Sequence, residues 1–300
     1  MGEANYNGAD DTIKKTTNGT TTYTYTTTVD NENLRICFRS GQTSNFTPKA
    51  FPTISAVYTG AKGTAADFIN ISKWIENQKS LQYFSELEGL TINAIGDSYF
   101  AGEGLPKEYV WLGLLASKYN INMNNYGIGG STISDYVNQN PMCKRYNQMA
   151  NNSPDIVILE GGRNDYMQKV PLGSVNSTDT KTFMGAINVT IDGLQAKYPN
   201  ALIICITNWN YNPTSTHDSP YGGSAVYANA MKQVADAQGV YCIMANAPSV
   251  SGVDVSTSTF RAKYCMKPGD VSHLNVEGMK LVMPKFEAII AERYKDFLKK

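Results

Sequence analysis

The chain changes character near residue 85, where one pattern of apolar and polar positions gives way to another. Beyond this point short apolar runs recur, and each is followed by a polar loop and a stretch with helical periodicity. Runs of this length, bounded by turn residues, predict buried strands. They cover residues 91–95, 121–126, 156–159, 202–206 and 240–244. Five such strands alternating with helices predict an α/β fold with a five-stranded parallel sheet covered on both faces.

The stretches between the predicted strands carry apolar residues three or four positions apart, as amphipathic helices do. They cover residues 106–119, 182–197, 225–238 and 276–298. In the first, Trp111, Leu114, Leu115 and Lys118 are predicted to share the buried face, with the stem of Lys118 lying along it. In the last, the predicted stripe is Val276, Met279, Met283, Phe286, Ile290, Tyr294 and Phe297. Pro284 lies within that helix and marks a point where it can kink.

The first 85 residues have a different pattern. A threonine-tyrosine run at 20–29 and alternating segments at 34–39 and 54–59 predict strands, and residues 71–78 have helical character. We therefore predict a small β-rich segment or accessory region over 1–85 and the main domain over 86–300. The first residues lack the basic and apolar regions of a signal peptide. The compartment is undecided, with a secreted or cell-surface location as the working expectation.

The charge balance argues against two classes of partner. Lysine plus arginine and aspartate plus glutamate both number 26, so the formal net charge is zero. Nucleic-acid binding and polybasic membrane attachment both depend on a basic surface, and neither is expected. No apolar stretch approaches the length of a membrane-spanning helix. Only two histidines are present, His217 and His273, so a multi-histidine metal site is excluded and no metal or cofactor is predicted.

The five cysteines show no metal-binding spacing. Cys205 and Cys242 lie in apolar runs and are expected in the core. Cys143 and Cys265 lie in loop-like sequence, and the sequence leaves open whether they form a disulfide.

Polar residues follow the first three predicted strands. Gly96-Asp97-Ser98 follows the first, a glycine-rich loop at 127–130 follows the second, and Gly162-Arg163-Asn164-Asp165 follows the third. Because the carboxyl ends of parallel strands share one edge, these segments are expected to meet there. Each has a simpler interpretation in isolation: a turn with a helix cap, a flexible loop and a polar turn.

A fourth segment, Asp270-Val271-Ser272-His273, precedes the last helix. The three-residue spacing lets the carboxylate hold one imidazole N–H and leave the other nitrogen as a base. The simpler interpretation is an aspartate helix cap beside a surface histidine.

Together the four segments resemble the SGNH hydrolases, the GDSL-type esterase superfamily, whose four blocks centre on Ser, Gly, Asn and His. The resemblance covers residues 90–298 and does not extend to 1–85. It implies a flavodoxin-like three-layer α/β/α fold. Tyr99 stands where the first block often has leucine. The chain has no Gly-x-Ser-x-Gly elbow, which disfavours an ordinary α/β-hydrolase.

The resemblance also implies roles for individual residues. Ser98 would be the nucleophile, His273 its base, and Asp270 the group that orients His273. The oxyanion hole would consist of the Ser98 N–H, a glycine N–H and the Asn164 side chain. Among Gly127, Gly129 and Gly130, the pattern of the family favours Gly130.

The loop at 208–221 combines aromatic rings with amides, a composition that suits sugars. Trp209 and Tyr211 are candidate substrate contacts there, and Arg163 is another, beside Asn164. Alternatives are a structured surface loop for the aromatic residues and a structural ion pair for Arg163. His217 is interpreted as a solvent-exposed loop residue.

The expected substrate is a small-molecule or glycan ester, because the loops near the predicted site are mostly polar. The resemblance implies acetylated polysaccharides, lipids or thioesters as substrates, and the polar loops favour removal of a short acyl group, chiefly acetyl, from carbohydrate. The alternatives are a lipase or thioesterase that acts on longer acyl chains, and a catalytically silent carbohydrate-binding module. The sequence does not indicate the oligomeric state.

Overall fold

The computed structural model describes residues 83–209 and 219–299. Most of the predicted N-terminal β-rich segment lies outside these ranges. So do Tyr211, His217 and Cys37.

Five parallel strands form one sheet in the order β2-β1-β3-β4-β5. The strands are β1 (Thr91–Ile95), β2 (Asn122–Asn125), β3 (Ile156–Gly161), β4 (Leu202–Thr207) and β5 (Tyr241–Ile243). The strand order reverses direction at β1, which lies between β2 and β3. The carboxyl ends of β1 and β3 therefore form the crevice where doubly wound folds bind ligands.

Nine α-helices connect and flank the strands in the part of the chain that the structure describes. They are α1 (Ser98–Ala101), α2 (Trp111–Tyr119), α3 (Met142–Arg145), α4 (Arg163–Met167), α5 (Phe183–Lys197), α6 (Ser224–Ala237), α7 (Pro248–Ser251), α8 (Ser258–Tyr264) and α9 (Val276–Phe297). Short 3-10 helices span Ser85–Leu87, Lys107–Tyr109 and Tyr146–Gln148. None of the described helices is long and apolar enough to cross a membrane.

The two faces of the sheet carry separate apolar cores, because successive strand residues point to opposite sides. Ile92, Ile158 and Ile204 face one core, to which α2 and α9 contribute. Leu159 and Cys205 face the other, which α5 and α6 cover. This arrangement confirms the predicted three-layer α/β/α fold.

The buried faces of two helices differ in detail from the prediction. In α2, Leu112 and Tyr119 are buried, whereas Leu114 and Lys118 are partly exposed. Leu114 nevertheless packs against the core. Lys118 reaches a buried carboxylate, Glu287 of α9, which accepts hydrogen bonds from the Tyr119 hydroxyl and, at 2.6 Å, from Lys118 Nζ.

In α9, the predicted stripe members Val276, Met283 and Phe297 are only partly buried, while Val282 is fully buried. The helix runs through Pro284 without ending there.

Cys143 and Cys265 are both buried free thiols, so no disulfide joins them. They belong to the two different cores on opposite faces of the sheet, which explains why they do not meet. Burial raises the pKa of the Cys143 thiol to about 12 and that of Cys265 to about 11. Cys205 and Cys242 are core residues, as predicted.

Candidate active site

The turn after β1 places Ser98 at the carboxyl edge of the sheet, as the first residue of α1. Asp97 caps this helix, and its Oδ1 accepts the Tyr99 N–H at 3.0 Å. A Cβ at Gly96 would lie 2.6 Å from the Phe100 ring and 2.7 Å from a carboxylate oxygen of Glu160. Only glycine fits this close approach, which allows the chain to turn directly from strand to helix.

Ser98, His273 and Asp270 are brought together as the sequence predicted. Ser98 Oγ lies 3.0 Å from His273 Nε2, and His273 Nδ1 lies 3.3 Å from Asp270 Oδ2. The other carboxylate oxygen, Asp270 Oδ1, accepts the backbone N–H groups of Ser272 and His273 at 2.8 and 2.9 Å. Asp270 is therefore held by its own loop in the orientation that faces the imidazole.

His273 lies on a loop between α8 and α9 that is closed at its base. The Met266 N–H donates to the His273 carbonyl at 2.9 Å, and the Asn275 N–H donates to the Tyr264 carbonyl at 2.8 Å. The Asn275 amide also donates to the carbonyls of Lys263 and Cys265, at 2.9 and 3.1 Å. These bonds fix both ends of the loop.

The glycine loop after β2 approaches Asn164 from the neighbouring strand. The Gly127 N–H donates to the Asn125 side chain at 2.8 Å and is therefore already engaged. Gly130 has a left-handed backbone, with φ of 75°. Asn164 Nδ2 donates to the Ser131 carbonyl at 2.8 Å and to Asp97 Oδ2 at 3.2 Å. The Asn164 amide thus joins the segments that follow β1 and β2.

Arg145 is a structural part of the site that the sequence did not indicate. Its guanidinium is buried, and it donates to the carbonyls of Gly96 and Tyr126 at 2.6 and 2.5 Å and to Ser131 Oγ at 3.2 Å. Burial lowers its pKa to about 10. Arg145 thereby fastens the serine turn to the glycine loop, although it lies on α3, remote from every recognisable motif.

A pair of buried carboxyl groups lies directly behind Ser98. Glu160, near the end of β3, accepts the Asp97 N–H at 3.2 Å and also accepts a hydrogen bond from the Asn208 side chain. Burial raises the pKa of Asp97 to about 6, and burial next to Asp97 raises the pKa of Glu160 well above its usual range. In the sequence, Asp97 belongs to the Gly96-Asp97-Ser98 segment and Glu160 ends an apolar run, but no local pattern indicates that the two side chains meet.

Asp165, next to Asn164, binds the loop that follows Gly130. Its two carboxylate oxygens accept the N–H groups of Ile133 and Ser134 at 2.9 and 3.0 Å. Burial raises the pKa of this carboxyl group. The Asn164-Asp165 dipeptide therefore contacts the glycine loop through both side chains.

Two of the predicted substrate contacts occupy other positions. Trp209 is only 3% exposed, and its ring stacks on Tyr99 with centroids 3.9 Å apart. The prediction that this ring faces a substrate is therefore wrong, because the sequence could not show that Tyr99 covers it. Arg163 is partly buried, and its Nε donates to Ser272 Oγ at 2.9 Å.

Within residues 83–209 and 219–299, no cluster of three or more His, Cys, Asp or Glu side chains could hold a metal ion.

Comparison with known proteins connects this arrangement to a family. The family described as GDSL-like Lipase/Acylhydrolase matches residues 94–281. No curated protein matches the chain.

Several solved structures are similar to the chain. One crystal structure is 25% identical and aligns with 70% of this chain and 99% of its own length, at a TM-score of 0.61. A protein from Lactobacillus plantarum is 24% identical and aligns with 68% of this chain and 98% of its own length, at a TM-score of 0.59. A candidate GDSL-like lipase from Bacteroides ovatus is 18% identical and aligns with 68% of this chain and 99% of its own length, at a TM-score of 0.51. Because the last two structures are less than 25% identical to this chain, their similarity indicates a shared fold alone.

Proposed function

The chain belongs to the GDSL-like lipase/acylhydrolase family, and from that premise we propose that it removes short acyl groups, chiefly acetyl, from carbohydrate. Its general activity is that of an SGNH-type serine hydrolase acting on ester bonds. The observation that carries the mechanism is the continuous contact from Ser98 through His273 to Asp270, at 3.0 and 3.3 Å.

In the proposed reaction, Ser98 Oγ attacks the ester carbonyl while His273 Nε2 takes the serine proton. Asp270 keeps the Nδ1–H tautomer and stabilises the imidazolium that forms. The C–O bond to the alcohol then breaks, and the alcohol leaves with the proton from His273. Water attacks the acyl-serine by the same route and releases the acid.

The developing oxyanion is stabilised by the N–H groups of Ser98 and Gly130 and by the Asn164 amide. Before substrate binds, that amide donates to two protein oxygens, and the 3.2 Å bond to Asp97 is the longer of the two. An oxyanion would compete for this weaker bond. Asn164→Ala is expected to lower kcat by a factor on the order of 10²–10³.

Polar groups beside the oxyanion glycines support a carbohydrate substrate. A Cβ at Gly129 would lie 3.1 Å from Glu103 Oε2, and one at Gly130 would lie 3.0 Å from Gln139 Nε2. A carboxylate and an amide this close to the two glycines could bind the hydroxyl groups that surround a sugar ester.

The sequence of the loop at 166–180 supports a short acyl group. This loop is mostly polar, whereas a long acyl chain needs an apolar surface to lie on.

A second candidate function, hydrolysis of longer acyl esters, is favoured by one observation. The loop that follows β2 and carries Gly130 also exposes three apolar side chains: Ile128 at 41%, Tyr136 at 47% and Val137 at 39%. A long acyl chain could lie on this surface.

The two candidates are separated by a chain-length series of p-nitrophenyl esters, combined with acetate release from a panel of acetylated glycans. We expect p-nitrophenyl acetate to be cleaved far faster than the octanoate, and acetate to be released from at least one glycan. Ser98→Ala is the control and should release none. A preference for octanoate or longer chains that is lost in Ile128→Asn would overturn the carbohydrate proposal in favour of the second candidate.

A further inference from the structure

We propose that Arg163 and Trp209 are positioning residues for His273, which they hold through the preceding residue, Ser272. The proposal rests on the proposed role of His273 as the general base. It replaces the interpretation of Arg163 and Trp209 as substrate contacts with a different role in the same reaction.

Ser272 is 2% exposed, and each of its polar groups has a partner. Its hydroxyl accepts Arg163 Nε–H at 2.9 Å, its carbonyl accepts Trp209 Nε1–H at 2.6 Å, and its N–H donates to Asp270 at 2.8 Å. A buried residue bound in three directions cannot shift without losing hydrogen bonds that water does not replace.

Arg163 and Trp209, which bind Ser272 from outside its own loop, follow strands that also position other residues of the site. Arg163 follows β3 and adjoins Asn164, and Trp209 follows the end of β4 at Thr207. The ring of Trp209 stacks on Tyr99, which adjoins Ser98. The loop that carries His273 is therefore attached to the same elements that carry the nucleophile and the oxyanion amide.

The Tyr99 ring also contacts the base directly. It meets the His273 ring edge-on, with centroids 6.0 Å apart and an interplanar angle of 86°. Trp209 thus supports His273 in two ways: by its hydrogen bond to the Ser272 carbonyl and by its packing against Tyr99.

This support matters because His273 lies on a loop rather than on a helix or strand. Loops are more mobile than the elements they connect, and a general base must remain within hydrogen-bond reach of the nucleophile. A displacement of about 1 Å in such a group can cost on the order of 10²-fold in rate. Loss of the Ser272 contacts should therefore lower kcat and leave substrate affinity nearly unchanged.

The test is a double-mutant cycle in the full-length chain, with p-nitrophenyl acetate as a neutral substrate. We expect Arg163→Met and Ser272→Ala each to lower kcat about 10-fold or more, with KM changed less than about twofold. The double variant should lose no more than the worse single variant, because both substitutions remove the same hydrogen bond. Trp209→Phe, which keeps a ring for stacking and removes the N–H, should also lower kcat.

Arg293→Met provides a matched control, because Arg293 is partly buried on α9 and packs on Tyr241 away from the site. It should leave kcat unchanged. Thermal unfolding of each variant shows whether a lower kcat reflects loss of fold, and only variants that melt like the wild type enter the cycle.

Two results would overturn the proposal. One is a raised KM with unchanged kcat in Arg163→Met, which would make Arg163 a substrate contact. The other is a double variant whose loss equals the product of the single losses. Failure of the proposed function is a separate outcome, since it would appear as full activity in His273→Ala whatever the Arg163 variants do.

Discussion

At the scale of single residues, the most unusual feature of the site is the pair of buried carboxyl groups behind Ser98. Asp97 accepts hydrogen bonds from the Tyr99 N–H and the Asn164 amide, and Glu160 accepts the Asp97 N–H. Two adjacent buried carboxyls cannot both ionise without a large cost in free energy. The pair therefore retains a proton under conditions in which exposed carboxyl groups have lost theirs.

This proton makes the stability of the fold depend on pH. The pKa of Asp97 is raised to about 6, and that of Glu160 is raised well above the ordinary value of a carboxyl group, both chiefly by burial. A raised pKa means that the folded chain binds a proton that the unfolded chain releases. The stabilisation is complete below about pH 4, near the pKa of an unfolded carboxyl group. It is lost as pH rises through 6 and above.

We therefore predict that the free energy of unfolding falls between pH 5 and pH 8, and that Glu160→Gln makes this fall smaller. The difference in slope should approach about 1.4 kcal/mol per pH unit for the one proton removed. Urea denaturation at a series of pH values measures it, with the exposed Glu277→Gln as the control. An equal fall in Glu160→Gln and wild type would show that Glu160 holds no proton in this range.

At the scale of elements, the sequence predicted the sheet well because strand residues are apolar and strand ends carry glycine. β1 has the predicted bounds, and the four polar segments reach one edge. β2 is shorter than predicted: its sequence, Asn122 to Asn125, is polar because it forms an edge of the sheet. A pattern of apolar residues predicts the bounds of a buried strand better than those of an edge strand.

Contacts between distant segments were the part that local pattern did not predict. Arg145 binds the turn after β1 and the loop after β2, and Trp209 stacks on Tyr99. Neither contact is indicated by a periodic pattern or a characteristic residue spacing in the sequence. Ser98, Asp270 and His273 could be selected from the sequence because their motifs are local, and the structure brings these three side chains together. The residues that support them depend on how the elements pack.

The start of α9 is an element whose stability and activity should change together. Asn275 caps this helix through the Gly278 N–H at 3.0 Å, and its amide also closes the loop that carries His273. Asn275→Ala should lower the free energy of unfolding by about 2 kcal/mol, since a cap and two further hydrogen bonds are lost. It should also lower kcat.

Thr257→Ala is the comparison, because Thr257 caps the short helix α8 through the Phe260 N–H and makes one further, long hydrogen bond of 3.5 Å, to the Asp254 carbonyl. We expect about 1 kcal/mol or less from that change. Chemical denaturation of both variants measures the difference. The account of this loop fails if Asn275→Ala is as stable and as active as the wild type.

At the scale of the whole molecule, residues before position 86 already pack on the core of the α/β fold. Leu87 is fully buried, the Phe84 N–H donates to the Tyr119 hydroxyl at 3.0 Å, and Tyr83 packs on the same ring at 4.9 Å. The 3-10 helix Ser85–Leu87 is therefore part of the core beneath α2 and α9. A boundary at residue 85 would cut into these contacts.

We predict that a chain beginning at residue 80 keeps turnover of p-nitrophenyl acetate within about threefold of the full chain. A chain beginning at residue 90 should lose stability by several kcal/mol, because burial of a leucine contributes about 2–5 kcal/mol. Thermal unfolding and activity of the two truncations check this expectation. Loss of activity from the chain that begins at residue 80, without loss of its thermal stability, would mean that the first 79 residues take part in catalysis.

In the proposed mechanism, Ser98 forms a covalent acyl intermediate and His273 acts as the base for Ser98. The most direct measurement is labelling by a serine-directed phosphonate, followed by mass spectrometry of the modified peptide. We expect one phosphonyl group on Ser98, strongly slowed labelling in His273→Ala and none in Ser98→Ala. Labelling at another serine would contradict the assignment of Ser98 as the nucleophile. A wild-type protein that resists the probe would favour a silent binding module on a hydrolase fold.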